Sequence, residues 1–264
     1  MEKIIEFLTV LFLSYFRYFL VAGLVFFVLY KVLAPRLKHI KIQQVDAKKS
    51  DFLREISNSV IVSAIAASVA FTFLFTDIVN FSKVYTDVND YPIWWIPLSF
   101  VISLFVHDTY FYWMHKTLHH PKLYKITHLE HHKSVNPSPW ASYSFNIIEG
   151  FLEVMIVPIL IFLMPVHFSV LFMFSVAILL INVYGHCGYE LMPKSFRKTW
   201  LFEVVATSTY HNLHHEKFNY NFSLYFRIWD RLMGTEYPKY VEVYDKLLSR
   251  KNEHFQVKVV DLAE

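Results

Sequence analysis

The sequence predicts an all-α fold: a polytopic membrane helical bundle of four to five spans with a cytosolic, histidine-rich helical cap. Three observations lead there. The chain of 264 residues is 55% hydrophobic, 19% aromatic and only 18% charged; a soluble domain of this size carries more charge. Apolar runs of membrane-spanning length recur along it. Of its 14 histidines, all but His39 and His254 fall between His107 and His215, most of them in three clusters.

The first apolar run, about Ile4 to Leu33, is too long for a secretory signal, and no small-residue cleavage site follows it. It reads as an anchor helix. Arg17 inside it is costly; it contacts a lipid headgroup or another helix, or the run breaks there and one part is interfacial, which is the favoured expectation. Residues 34–56 are polar and carry Arg36, Lys38, Lys41, Lys48, Lys49 and Arg54, so the positive-inside rule puts them in the cytoplasm. A second span is expected from about Ser59 to Phe81. The next loop, 82–92, holds one lysine and two aspartates and fits the opposite side. The third span starts near Ile93 with the interfacial pair Trp94–Trp95 and runs to about Trp113, delivering His115 to its exit end.

Residues 133–146 read as a loop containing Pro137 and Pro139. Apolar runs at 147–163 and 166–184 flank Pro165 as a tight hairpin, spanning or re-entrant, with His167 structural at its turn. Glu149 and Glu153 are unusual in this setting; they pair with the histidine cluster or a basic residue, or lie at the interface. Counting spans puts the amino terminus outside and the carboxyl terminus inside, so that every histidine cluster falls on the cytoplasmic side. Basic and aromatic residues mix over 187–240, as suits helices at a membrane surface. The expected organisation is 1–104, amino-terminal transmembrane helices; 105–240, the chemistry-bearing region; and 241–264, a charged peripheral tail. The lone Cys187 excludes an internal disulfide. The net charge of +3 is small, and the basic residues sit in loops beside spans, which points to membrane orientation and away from nucleic acid.

The clusters are His115-x-x-x-His119-His120, His128-x-x-His131-His132 and His211-x-x-His214-His215, with His186 alone after a long apolar run. On a helix, residues three or four apart share a face, and neutral imidazole is the commonest metal ligand. Eight to ten imidazoles exceed the four to six positions of one ion, so two metals are expected. Asp108 lies seven residues before His115 and eleven before His119, on one helical stripe, where it is placed to orient a ligating imidazole from behind. His107 falls a quarter turn off that stripe; it reads as a buried, hydrogen-bonded histidine or, less favoured, as a further ligand. His120 is also off the stripe unless Pro121 breaks the helix and re-aims it.

These residues resemble the fatty acid hydroxylase/sterol desaturase superfamily of membrane di-iron enzymes over roughly 105–236. The resemblance rests on D-x-x-x-Y-W-x-H-K at Asp108–Lys116, both H-x-x-H-H clusters, and Asn136-Pro137-Ser138-Pro139-Trp140. It extends to Gly185-His186, Glu190-Leu191-x-Pro193 and Trp229-Asp230-Arg231-x-x-Gly234-Thr235. It implies a histidine-ligated pair of iron ions and dioxygen as co-substrate. A membrane lipid would be hydroxylated or desaturated with electrons from an external cytochrome- or ferredoxin-type donor. The ligands it implies are His115, His119 or His120, His128, His131, His132, His186, His211, His214 and His215. Departures are Asn146 where many relatives have histidine, Asn221-Phe222-Ser223 where N-Y-G is frequent, and Lys116 where arginine is common. The alternatives are a zinc-dependent membrane hydrolase, for which the chain lacks H-E-x-x-H, and a metal transporter, whose ligands would lie near mid-membrane and not at span ends.

Overall fold

The structure, a computed structural model, describes the backbone of residues 1–45 and 47–260 and the side chains among these as far as residue 250. The long apolar runs become α1 (Glu2–Phe26), which continues through a π turn at Phe27–Val32, then α3 (Lys49–Leu74), α4 (Trp95–Leu118) and α9 (Phe168–Gly185). The short α2 (Ala34–Leu37) turns the chain between α1 and α3. Between α4 and α9 lie α5 (Pro121–Thr127), α6 (Leu129–His132), α7 (Ile147–Val154) and α8 (Ile156–Leu163). After α9 come α10 (Trp200–Val204), α11 (Ser208–Lys217), α12 (Ile228–Leu232) and α13 (Tyr240–Val260).

Three helical stretches, Glu2–Val32, Lys49–Leu74 and Phe168–Gly185, are long and apolar enough to cross a membrane, and the chain is an all-α integral membrane protein. α4 is a fourth long helix, but its buried stripe is polar: Ser99, Ser103, His107, Asp108, Tyr112 and His115. The run at 147–163 breaks at Met155 into α7 and α8, of 8 residues each. At 1.5 Å per residue neither crosses a hydrocarbon core of about 30 Å by itself.

Three boundaries differ from expectation. α3 begins at Lys49, inside the polar segment, and ends at Leu74; Thr76 then caps a 3-10 turn at Asp77–Phe81 by accepting from the Ile78 amide. α1 does not break at Arg17 but runs through it. The guanidinium instead faces protein, and Nη1 donates to Ser175 Oγ at 2.5 Å. The tail after Tyr240 is not peripheral at its start. Tyr240, Tyr244 and Leu248 on α13 are buried with Phe202, Tyr210 and Leu213 in a core beneath the cap. Residues 261–264 of that segment lie outside the described residues.

The end of the bundle away from the histidines is tied by a two-residue parallel ladder, β1 (Val84–Tyr85) with β2 (Val166–His167). Trp95 Nε1 also donates to the Pro165 carbonyl there at 2.9 Å. His167 is structural, with its ring nitrogens at Ser169 Oγ and the Thr86 carbonyl. At the other end, α4 and α9 pass from the bundle into the cap, so two long helices packed against each other carry His115 and, at the C-cap of α9, His186.

Close packing of α7 on α3 depends on Gly150, where an added Cβ would lie 2.7 Å from Val62 Cγ2. Val62 is branched and buried, so it has little room to move. Gly150→Val therefore destabilises the protein by about 1–3 kcal/mol through overpacking, read as a lowered midpoint of thermal unfolding in detergent.

Candidate metal centre

Nine of the ten singled-out histidines converge. His115, His119, His128, His132 and His214 form one group, and His131, His186, His211 and His215 a second; within each, the candidate ligand atoms lie within 4.8 Å of one another. All are buried except the half-buried His119. Each H-x-x-H-H cluster serves both groups. The residues four apart, His128 with His132 and His211 with His215, share a group, while the third member, His131 or His214, points to the other. The groups are neighbours, with the His132 and His215 ring centroids 5.0 Å apart.

The hydrogen bonds of the rings show what this convergence is for. Five imidazoles have Nδ1 on a protein oxygen: His115 on Phe222 O at 2.8 Å, His128 on Glu149 Oε1 at 2.7 Å, and His131 on Ser144 O at 3.2 Å. His186 donates to Asn182 O and His214 to Tyr220 O, both at 2.7 Å. A neutral imidazole has one N–H, so once Nδ1 donates, Nε2 is a bare lone pair. Yet His115 Nε2 and His128 Nε2 are 3.0 Å apart, and His186 Nε2 lies 3.5 Å from His131 Nε2. Lone pairs aimed at one another repel unless a cation lies among them. Two nitrogens bound at right angles to one ion at about 2.1 Å sit about 3.0 Å apart, so the spacing and donor set fit metal ions.

The supporting residues only partly follow the sequence reading. Asp108 does not touch an imidazole: Oδ1 accepts the Tyr225 amide at 2.7 Å and the Phe226 amide at 3.2 Å. Its carboxylate thus holds the loop from which Phe222 O reaches His115. Asp230 holds the same loop from the other side, accepting the Phe222 and Ser223 amides at 2.9 and 2.8 Å. The carboxylate that does contact a ring is Glu149, on His128. Glu190 accepts the Thr209 amide and hydroxyl, fixing the first turn of α11. Its motif was visible in the sequence, its task was not.

His120 is not part of either group. Pro121 starts α5, and His120 becomes its exposed N-cap, Nδ1 accepting from the Lys122 amide at 3.3 Å. His107 is buried with Nδ1 at the Tyr225 hydroxyl, 2.6 Å away, as a hydrogen-bonded core histidine. Asn146, at the position where relatives often carry histidine, caps α7 by accepting from the Ile148 amide at 2.9 Å.

An all-helical bundle with a buried double-histidine centre defines a class of membrane protein, and the comparison with known families agrees. Residues 100–235 match the fatty acid hydroxylase family, and the chain belongs to it. The chain is similar to lathosterol oxidase of Rattus norvegicus, 36% identical over 158 residues, 59% of this chain and 51% of that one. It is similar to human lathosterol oxidase at 27% identity over 224 residues, 84% of this chain and 71% of the relative. It also resembles a Delta(7)-sterol 5(6)-desaturase of Gibberella zeae, 26% identical over 187 residues, covering 71% and 56% of the two chains. The chain thus spans about half the length of several of the curated relatives it matches. No solved structure matches it.

Burial, reinforced by neighbouring imidazoles, holds His128, His131, His132, His211, His214 and His215 well below the usual value of 6.5, so they stay neutral. Below about pH 6.5 the unfolded chain therefore binds protons that the folded one refuses. The chelator-treated protein is expected to keep its full stability above about pH 7 and to lose it progressively as pH falls below about 6.5, read as a falling unfolding midpoint. Glu149→Gln removes the carboxylate behind His128; metal affinity is expected to fall about 10–100-fold, measured by metal content after competition with a chelator.

Proposed function

We propose that this protein is a membrane di-iron oxidoreductase that uses dioxygen to hydroxylate or desaturate a sterol-like lipid. The observation that carries the reading is the position of the bare lone pairs at the end of a lipid-sized cavity. That cavity, of about 540 Å³, lies among α1, α3, α7, α8 and α9 and is walled mainly by apolar side chains. Pockets for small lipophilic ligands span about 300–1,000 Å³. Phe145 and Asn182 line its near end. The Phe145 ring lies 4.8 Å from that of His131, and Asn182 O accepts from His186.

The nine imidazoles would hold two ions, five around one and four around the other. When bound, redox-active iron supplies the activation of dioxygen that attack on an unreactive C–H bond requires, chemistry that zinc lacks. The chain's own residues do the rest. The Nδ1–H contacts fix each ring, and burial keeps the rings neutral and water out of the centre. The cavity wall lays the lipid along α1 and α9 with one end at the histidines, and small shifts of that end decide which carbon reacts. Electrons would come from a separate donor protein at the cytoplasmic face.

A zinc-hydrolase reading gains no support from the sequence, which lacks H-E-x-x-H, and the carboxylate beside the histidines, Glu149, is engaged with His128 Nδ1. The family and the sterol-processing relatives favour the oxidoreductase reading. Iron analysis and lipid profiling under heavy-isotope dioxygen test it. Wild-type membranes should carry about two irons per chain and form product only with dioxygen and a reductant. His131→Ala should lower the iron content and reduce product at least about 100-fold, the scale on which catalysis fails when a needed group is lost. Unchanged turnover in that variant, or product formed without dioxygen, would rule the reading out.

A further inference from the structure

The cavity is not polar or apolar throughout but graded. Its far end is walled by Leu74, Phe75, Phe168 and Leu171. Arg17, His107 and Glu153 belong to the part nearer the histidines. Arg17 lies beside Tyr143 and immediately precedes Tyr18, whose hydroxyl donates to the Trp140 carbonyl. Ionisable side chains at membrane depth are costly and mark sites of function by default. These three are also incompletely satisfied. His107 is 1% exposed, and its Nε2 has no partner once Nδ1 meets Tyr225. Arg17 Nε is buried without a partner. Glu153 makes no hydrogen bond or ion pair among the described residues.

We propose that Glu153 and His107 form a polar subsite that binds a hydroxyl group of the lipid and so determines which carbon meets the metal centre. This rests on the reading of the cavity as the substrate site. A hydroxyl is at once donor and acceptor, so it satisfies His107 Nε2 in either tautomer and Glu153 whether protonated or not. An anionic headgroup would meet the Glu153 carboxyl, and a cationic one the Arg17 guanidinium. A pure hydrocarbon would leave both His107 and Glu153 desolvated and unpaired.

Helix geometry sets the distance from this subsite to the centre. Glu153 is one turn, about 6 Å, along α7 from Glu149, which holds His128. His107 is about two turns, roughly 12 Å, along α4 from His115. A hydroxyl bound between them therefore sits on the order of 6–12 Å from the ligand nitrogens along these axes. The reacting carbon is then only a few bonds from the hydroxyl, and the apolar remainder of the lipid fills the far end toward Phe75 and Phe168.

The test uses the full-length, metal-loaded protein in detergent and two matched probe pairs: cholestanol against cholestane, and hexadecanol against hexadecane. Wild type should bind each alcohol at least about tenfold more tightly than its hydrocarbon, the effect of one buried hydrogen bond. Glu153→Leu should shrink that preference to about threefold or less, leaving hydrocarbon affinity and metal content unchanged. Glu153→Gln should restore part of the preference, and His107→Phe should repeat the loss. Equal binding of alcohol and hydrocarbon by wild type, or equal weakening of both by Glu153→Leu, overturns the subsite. An intact alcohol preference in a protein that takes up no iron would sink the oxygenase reading and leave the subsite standing.

Discussion

The centre depends on one repeated contact: an Nδ1–H donated to a protein oxygen, which turns Nε2 inward as a bare lone pair. The five acceptors come from separate parts of the chain: the carbonyls of Ser144, Asn182, Tyr220 and Phe222 and the carboxylate of Glu149. Two of them belong to one loop, and that loop is held by two buried aspartates. Asp108 takes the amides of Tyr225 and Phe226, and Asp230 those of Phe222 and Ser223. Asn221 sits in the same loop at φ 59°, a conformation that asparagine tolerates better than most residues. Its side chain donates to Tyr210 O and accepts from the Tyr237 amide, clamping the loop to α11 and to the segment that leads into α13. Two ring orientations are thereby set by side chains that make no hydrogen bond to either ring.

Much of this was legible in the sequence, for reasons that separate local from long-range order. The H-x-x-H-H spacing pointed to convergent rings because a helix brings residues four apart onto one face, and the count of imidazoles pointed to more than one group, as the structure has it. Spacing alone did not show that the third member of each cluster faces away. At 100° per residue, His131 and His214 are turned far enough from their neighbours to reach the adjacent group. Asp108 shares a stripe with His115, which by periodicity alone points it at an imidazole. Its true partners lie 117 and 118 residues further along, a separation that periodicity does not reach. The role of His120 turns on Pro121, because a proline both ends a helix and begins one; here it begins α5, and the ring serves as its cap.

The membrane half shows the same division. Hydropathy located α1, α3 and α9, but the expected break at Arg17 does not occur. A charged side chain inside an apolar run interrupts a helix only if the charge must escape to water. Arg17 has Ser175 and a cavity to face, so the backbone hydrogen bonds of α1 continue past it. The tail misled for the converse reason. Among the described side chains Glu242, Asp245 and Lys246 are exposed, while Tyr240, Tyr244 and Leu248 follow each other at helical spacing and are buried. Average composition concealed the apolar stripe.

The arrangement also implies that metal binding at the proposed centre would be coupled to folding of the cap. Nine imidazoles drawn from α4, α6, α9 and α11 and the residues flanking them gain little from packing against one another while empty, since neighbouring lone pairs repel and protonation is opposed by burial. The surrounding shell compensates only in part: Glu190 secures α11, and Glu149 secures His128. A site whose ligands are preoriented but mutually repulsive is one in which binding energy is also folding energy. α4 and α9 resist that repulsion because each is anchored in the bundle below, so the membrane helices give the cap the stiffness that its short segments cannot supply.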